Sequence, residues 1–171
     1  MQTSDPPKAT TDAGAAVTAL YREHAVGLGR AALLLVGDRP SAEDVVQEAF
    51  FGLHRRWLRD GTPRDPVAYI RTAVFNGCRS VLRRRALRIR LPDPPPVWSA
   101  ESAVVLDEDR RAVLEAITRL PRRQREVLVL KFYLDLPEAE IASALGVSRG
   151  TVSSTASRAL TALAGLLGEE F

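Results

Sequence analysis

The chain has 171 residues, 46% of them hydrophobic and 6% aromatic, with a formal net charge of +3. That length supports one or two small domains with buried cores built mainly of Leu, Val and Ala. The low net charge means that any nucleic-acid reading must come from how the charge is distributed, not from its total. Cys78 is the single cysteine and His24 and His54 are the two histidines, which excludes an intrachain disulfide and argues against a Cys/His metal site. No apolar run reaches 18 residues and no basic-then-apolar leader opens the chain, so a soluble cytoplasmic protein without membrane insertion is expected. No phosphate-cradling glycine loop and no nucleophile with a partnering base is present, which points away from an enzyme and from a cofactor.

Residues 1–14 are polar and proline-bearing and read as a disordered tail. Val17 to Val36 reads as a helix, with Leu20, His24, Leu28, Ala31, Ala32 and Leu35 at helical spacing and Gly37 as its cap. His24 is expected to be a half-buried packing residue.

The stretch Asp38 to Trp57 is expected to be the second helix, opened by Ser41 with Asp44 three residues on, in the manner of a capping box. Ala42, Val45, Val46, Ala49, Phe50, Leu53 and Trp57 face inward. Asp44, Gln47, Glu48 and Phe51 share another face. A solvated face has no need of Phe51, so this face suits a partner; the alternative is that Phe51 folds under the next helix.

After a breaker-rich loop, Leu58 to Pro66, the spacing predicts a third helix from Val67 to about Arg90, with Asp65 as N-cap and Pro66 in its first position. Val67, Ile70, Val74, Cys78, Val81 and Leu82 would pack inward. The other face carries Arg71, Thr72, Phe75, Asn76, Arg79 and Arg83. Six arginines fall between Arg79 and Arg90. Some complement the negative helix end, but the block exceeds what a cap needs and forms an electrostatic footprint for phosphates. Tyr69, Phe75 and Asn76 among them offer stacking and hydrogen bonding to unpaired bases.

Leu91 to Glu101 contains Pro92, Pro94, Pro95 and Pro96 and reads as an extended spacer reaching roughly 35 Å, with Trp98 as an anchor. A fourth helix is expected over Ser102 to Arg119, with Val105, Val113, Leu114 and Ile117 inward. A fifth follows over Pro121 to Asp135, burying Val127, Leu128, Leu130 and Phe132. Arg122, Arg123 and Arg125 sit near its start, where positive charge opposes the helix dipole, a placement that a phosphate would offset.

Leu134 to Leu167 organises the whole chain. Pro137 fits a first helical position, Ile141, Ala142 and Leu145 share one face, and Gly146 suits a left-handed turn. Ser148 then N-caps a second helix in which Val152, Ala156, Ala159, Leu160, Leu163 and Leu167 point in. Arg149, Gly150, Ser153, Ser154, Ser157 and Thr161 are left facing out. This is the pattern of a helix-turn-helix, whose second helix enters the major groove. A plain helical hairpin would share the spacing. The small hydroxyl and arginine surface, without the Glu/Lys pairs of a solvated helix, favours DNA.

Three segments together resemble the sigma-70 superfamily, specifically its extracytoplasmic-function (ECF) RNA polymerase sigma factors of the SigE-like subgroup. SAEDVVQEAF (Ser41 to Phe50) is similar to the family's core-polymerase-binding helix. VAYIRTAVFNGCRSVLRRR (Val67 to Arg85) is similar to its −10 helix, and Arg119 to Leu160 to its −35-binding domain. The resemblance implies an all-α chain of two small helical domains, a region 2 bundle over 15–90 and a region 4 helix-turn-helix over 102–171, joined by the linker 91–101. It implies that Asp44, Gln47, Glu48 and Phe51 bind core polymerase, the first three contacting the clamp helices of the largest subunit. Arg71, Thr72, Phe75, Asn76, Arg79 and Arg83 would take up the −10 element, with Asn76 reading a base and the loop Arg59 to Asp65 holding a flipped one. Arg122, Arg149, Gly150, Thr151, Ser153, Ser154, Ser157 and Arg158 would serve the −35 element. Core RNA polymerase and promoter DNA are the implied partners, with an anti-sigma factor as a candidate third. Ser153 and Thr155 stand where relatives often carry basic residues, and Leu136 replaces the usual capping type before Pro137. Two other readings stay open on the residues alone: a free-standing helix-turn-helix regulator, which would bind duplex DNA as a symmetric dimer although no dimer seam is evident, and a helical adaptor without DNA function.

Overall fold

The computed structural model describes residues 8–88 and 108–168; the proline-rich spacer, Trp98, Arg90 and residues 102–107 of the expected fourth helix lie outside the described residues. Every regular element among the described residues is helical. Helix α1 spans Lys8–Val36, beginning nine residues ahead of the expected Val17. It stops at Gly37, whose N–H closes the last turn on the Leu33 carbonyl at 2.8 Å and whose φ of 83° then turns the chain out of the helix. Helix α2 spans Arg39–Asp60 and ends at Gly61 (φ 80°). Helix α3 spans Pro66–Arg88, with Asp65 capping as expected: its Oδ1 accepts from the Ala68 N–H at 2.8 Å.

The start of α2 differs from expectation. Asp38, not Ser41, is the N-cap, and its Oδ1 accepts from the Ser41 N–H at 2.9 Å. Arg85 of α3 decides between the two. Its guanidinium donates to the Val36 carbonyl at 2.6 Å, to Ser41 Oγ at 2.8 Å and to the Asp38 carboxylate. The α1–α2 turn is thus wound around one arginine. Gly77 lets α3 approach α2 closely, because a Cβ there would lie 2.8 Å from Val45 Cγ1.

The second unit begins with α4 (Glu108–Arg119) and α5 (Arg122–Leu128), which runs into a π-helical turn at Val129–Tyr133. Helix α6 (Glu138–Leu145) and helix α7 (Arg149–Gly168) complete it. The π-turn explains a second departure. With the Leu134 N–H bonded to the Val129 carbonyl at 2.9 Å, one extra residue enters the turn and rotates the following side chains. Phe132, expected inside, is 56% exposed, and Leu134 takes the buried place. Leu160, also expected inside, is 47% exposed. The buried stripe of α7 runs Val152, Thr155, Ala156 and Ala159, then continues through half-buried Leu163 and Leu166.

Ala31 to Val36 are all buried, so the last six residues of α1 are apolar on every side. A helix of that kind lies between layers, not on a surface. Helix α1 packs on α2 and α3 and also touches α4, α5 and the π-turn. One continuous buried cluster therefore runs from Leu34, Leu53 and Ile70 to Ile117, Leu130 and Ile141.

Candidate nucleic-acid and partner interfaces

Three surfaces carry the residues singled out above. On α2, Asp44, Gln47, Glu48 and Phe51 are all exposed, and Phe51 does not fold under α3. Behind them a groove of about 860 Å³ opens between α2 and α3, with Ser80, Arg84 and Arg85 on its far wall. Glu48 accepts from Arg55 Nη2 at 2.7 Å, a pair exposed on both sides and therefore weakly held. The face stays acidic and solvated around one large apolar side chain.

The α3 face is more divided than its sequence implies. Asn76 and Arg83 are exposed; Arg71, Thr72 and Arg79 are half-buried. Phe75 is a correction: it is 1% exposed and cannot stack on a base in this arrangement. The Arg79 guanidinium lies 5.8 Å from the centre of its ring and donates onward to the Ala144 carbonyl of α6. Arg71 Nη1 comes within 3.9 Å of Asp135 Oδ2 in the loop before α6. Between these contacts sits a cavity of about 680 Å³, lined by Arg56, Arg64, Tyr69, Thr72 and Asn76 from one unit and by Leu136, Glu140 and Ser143 from the other. Arg64 belongs to the loop Arg59 to Asp65 assigned above to a flipped base, whereas Arg56 was not singled out from the sequence. Arg56 reaches the site from α2 by lying over the Tyr69 ring of α3, 5.3 Å from its centre, and only the basic density around Arg55, Arg56 and Arg59 hinted at it. Arg85, counted in the basic block, is spent on the α1–α2 turn.

The helix-turn-helix is built as its residues dictate. Gly146 adopts the left-handed conformation (φ 67°, ψ 38°) and caps α6. Pro137 precedes the helix as its N-cap instead of occupying the first turn. Ser148 Oγ accepts from the Thr151 N–H at 3.1 Å and starts α7. Arg149, Gly150, Thr151, Ser153, Ser154, Ser157 and Arg158 all lie exposed along α7. Arg158 folds back on its own helix, donating to the Ser154 carbonyl at 3.3 Å. Lys131 of the π-turn donates to Glu138 at 2.7 Å; that hydrogen bond and the ammonium charge hold the Glu138 carboxyl below the usual range.

The arginines at the start of α5 have a partner that sequence reasoning missed. Arg122 Nε and Arg123 Nη1 donate to the carboxylate of Glu126 at 3.0 and 3.3 Å, and Glu126 is buried. Arg125 Nη1 donates to the Thr118 carbonyl at 3.1 Å. Glu126 thus offsets the dipole conflict, and no phosphate is needed to explain this cluster. The signal was the i, i+4 spacing of Arg122 and Glu126.

Two family models match the chain: sigma-70 region 2 over residues 20–88 and sigma-70 region 4 over residues 110–163. The ECF RNA polymerase sigma factor SigL of Mycobacterium tuberculosis is 34% identical over 157 residues, covering 87% of each chain. The chain belongs to the sigma-70 family, among its ECF RNA polymerase sigma factors. The RNA polymerase sigma-E factor of Streptomyces avermitilis is 33% identical over 134 residues, 78% of this chain and 75% of the relative. Among solved structures, CnrH in complex with the cytosolic domain of CnrY superposes with a TM-score of 0.61 at 25% identity, over 96% of this chain and 95% of that one. The ECF sigma factor SigJ of Mycobacterium tuberculosis gives 0.58 at 33% identity, over 85% of this chain and 51% of its own. Sigma factors are transcription initiation factors and not enzymes. For this sigma factor, α1 to α3 carry the region 2 match, and α4 to α7 carry the region 4 match. No helix among the described residues is long and apolar enough to cross a membrane.

Proposed function

We propose that this sigma factor docks on core RNA polymerase through α2 and reads a two-part promoter through α3 and α7. The region 2 unit spans 15–90, the linker 91–101 and the region 4 unit 102–171. Asp44, Gln47 and Glu48 meet the clamp helices of the largest subunit, and Phe51 supplies the apolar contact beside them. The observation that carries this reading is the shared exposure of these four side chains, one of them a phenylalanine at 60%. A large apolar group held in water beside carboxylates suits a partner that buries it.

Arg71, Thr72, Asn76, Arg79 and Arg83 take up the unpaired −10 bases and their phosphates. Phe75 belongs to the floor beneath them. Opening the duplex costs a few kcal/mol, which stacking and phosphate contacts offset. Arg149, Gly150, Thr151, Ser153, Ser154, Ser157 and Arg158 read the −35 duplex, with small side chains permitting close approach. Arg122 is occupied by Glu126 and contributes to the fold of the unit. The α7 reader carries few basic residues, and linking it to the α3 reader raises the effective concentration of the second once the first is engaged. The protein works in the cytoplasm, and an anti-sigma factor is its regulator.

Run-off transcription with core polymerase over a library of promoter fragments tests the reading. Initiation confined to a small set sharing two spaced elements is the expected result. Binding of the chain alone, as a dimer on palindromic duplex and without effect on polymerase, would establish the free-standing regulator instead.

A further inference from the structure

The arginines around the end of α2 are spent unevenly. Arg55 donates to Glu48, and Arg59 donates twice to Asp60 at 2.9 Å. Arg56 and Arg64 make no hydrogen bond or ion pair among the described residues, and both line the cavity of about 680 Å³ that also holds Thr72 and Asn76. The charge of Arg56 is felt at Asp60, but Arg59 supplies the hydrogen bonds there. Of the carboxylates on the cavity wall, Asp65 is committed to capping α3, and Glu140 pairs with neither guanidinium. What Arg56 does touch is a ring. Gly52 and Arg56 stand four apart and share one face of α2. Tyr69 of α3 lies along that face: a Cβ on Gly52 would stand 3.2 Å from its Oη, and the Arg56 guanidinium lies over its ring. Attraction to a ring face uses none of the five N–H donors of a guanidinium. Arg56 is therefore held in place with its donors unspent, which suits a phosphate group.

We propose that Arg56 and Arg64 hold one backbone phosphate of the unpaired −10 strand, beside the base that Thr72 and Asn76 take up, and that Tyr69 is the positioning residue that aims Arg56. The inference rests on the reading of α3 given under the proposed function. A phosphodiester presents two free oxygens, one for each guanidinium. Tyr69 lines both this cavity and the α2–α3 groove behind the docking face, so the ring is a shared wall between the two surfaces. Gly52 leaves room for its hydroxyl end, and a larger residue there would displace the ring and Arg56 with it. Helix α2 thus contributes to DNA binding as well as to docking.

The test uses the full chain bound to core polymerase and a promoter fragment that supports run-off transcription, with its −10 segment left unpaired. Each phosphate of that segment is replaced in turn by an uncharged methylphosphonate. The wild type should lose about five- to ten-fold in affinity at one position. Arg56→Gln should lose as much on the unmodified strand and be indifferent to the replacement at that position. Its slope of log affinity against log salt should be shallower by about 0.7. Tyr69→Leu should behave like Arg56→Gln, and Tyr69→Phe, which keeps the ring, like the wild type, with polymerase affinity unchanged throughout. Arg56 is exposed, so Arg56→Gln decides the matter even if Tyr69→Leu fails to fold. Arg56→Gln with the affinity of the wild type, or with sensitivity to the same methylphosphonate retained, overturns the proposal. Asn76→Ala separates the two failures: if it weakens the complex while Arg56→Gln does not, the phosphate site alone is refuted, and if neither weakens it the reading of α3 falls as well.

Discussion

The guanidinium of Arg85 donates to the carboxylate of Asp38, the same carboxylate that caps α2 through the Ser41 N–H. Three chain segments are tied at that point: the end of α1 through the Val36 carbonyl, the start of α2, and α3. Charge-assisted hydrogen bonds of this kind contribute about 1.5–3 kcal/mol each when buried, and this cluster is about one-third exposed. Arg85→Ala is expected to destabilise the chain by about 1–2 kcal/mol in urea unfolding, with the helical circular-dichroism signal of the folded state retained.

The same pair sets an acid dependence. Burial pushes the Asp38 carboxyl up, but the Ser41 N–H, the Arg85 guanidinium and the Ser41 hydroxyl outweigh it and hold the group below its ordinary value of 3.8. A carboxyl lowered on folding contributes stability that is complete above its unfolded value and is lost as pH falls through the folded one. Stability of the wild type should therefore decline more steeply below pH 3.8 than that of Asp38→Asn. Urea midpoints recorded from pH 6 down to pH 2.5 check this; parallel curves for the two proteins would remove Asp38 from the account.

Gly77 faces Val45 across the α2–α3 contact, where an added Cβ would stand 2.8 Å from Cγ1. Alanine gains about 1 kcal/mol of helix propensity, and overpacking against a buried β-branched side chain costs about 1–3 kcal/mol. Gly77→Ala should come out destabilising by about 1 kcal/mol. The effect should reverse in a Val45→Ala background, so that a double-mutant cycle returns a coupling of about 1–2 kcal/mol.

Cys78 is buried in α3, and burial pushes its thiol up to about 12. At pH 8 about one thiol in ten thousand is then ionised, and the reactive form is the thiolate. Ellman's reagent should leave the native chain unmodified over hours and react with one equivalent as soon as urea unfolds the region 2 unit. Rapid labelling of the native protein would show that α3 opens locally.

Much of this architecture was readable because its signals are local. Asp65 with Pro66, Gly146 and Ser148 act within a few residues of themselves, and each does in the structure what its chemistry dictates. What was not readable depends on distant or irregular partners. Asp38 and Ser41 are both good caps, and the choice between them is made by an arginine 47 residues from Asp38. Phe132 left the core because a π-turn changes the period on which its inward placement rested. Phe75 and Asn76 are neighbours on α3, and spacing cannot say which is covered; Arg79, itself held by Ala144, covers Phe75. The meeting of the two units along α1 has no local signature beyond six consecutive buried residues, Ala31 to Val36.

The account stands on the α2 face, and the affinity of the purified chain for core RNA polymerase tests it most directly. Asp44 and Gln47 are exposed and pack against nothing in the core, so Asp44→Ala/Gln47→Ala should keep the helical signal and the unfolding midpoint of the wild type. Loss of at least ten-fold in polymerase affinity by that variant, with folding unchanged, is the result predicted. Equal affinity of the two proteins for the core enzyme, or no measurable affinity of either, would contradict it.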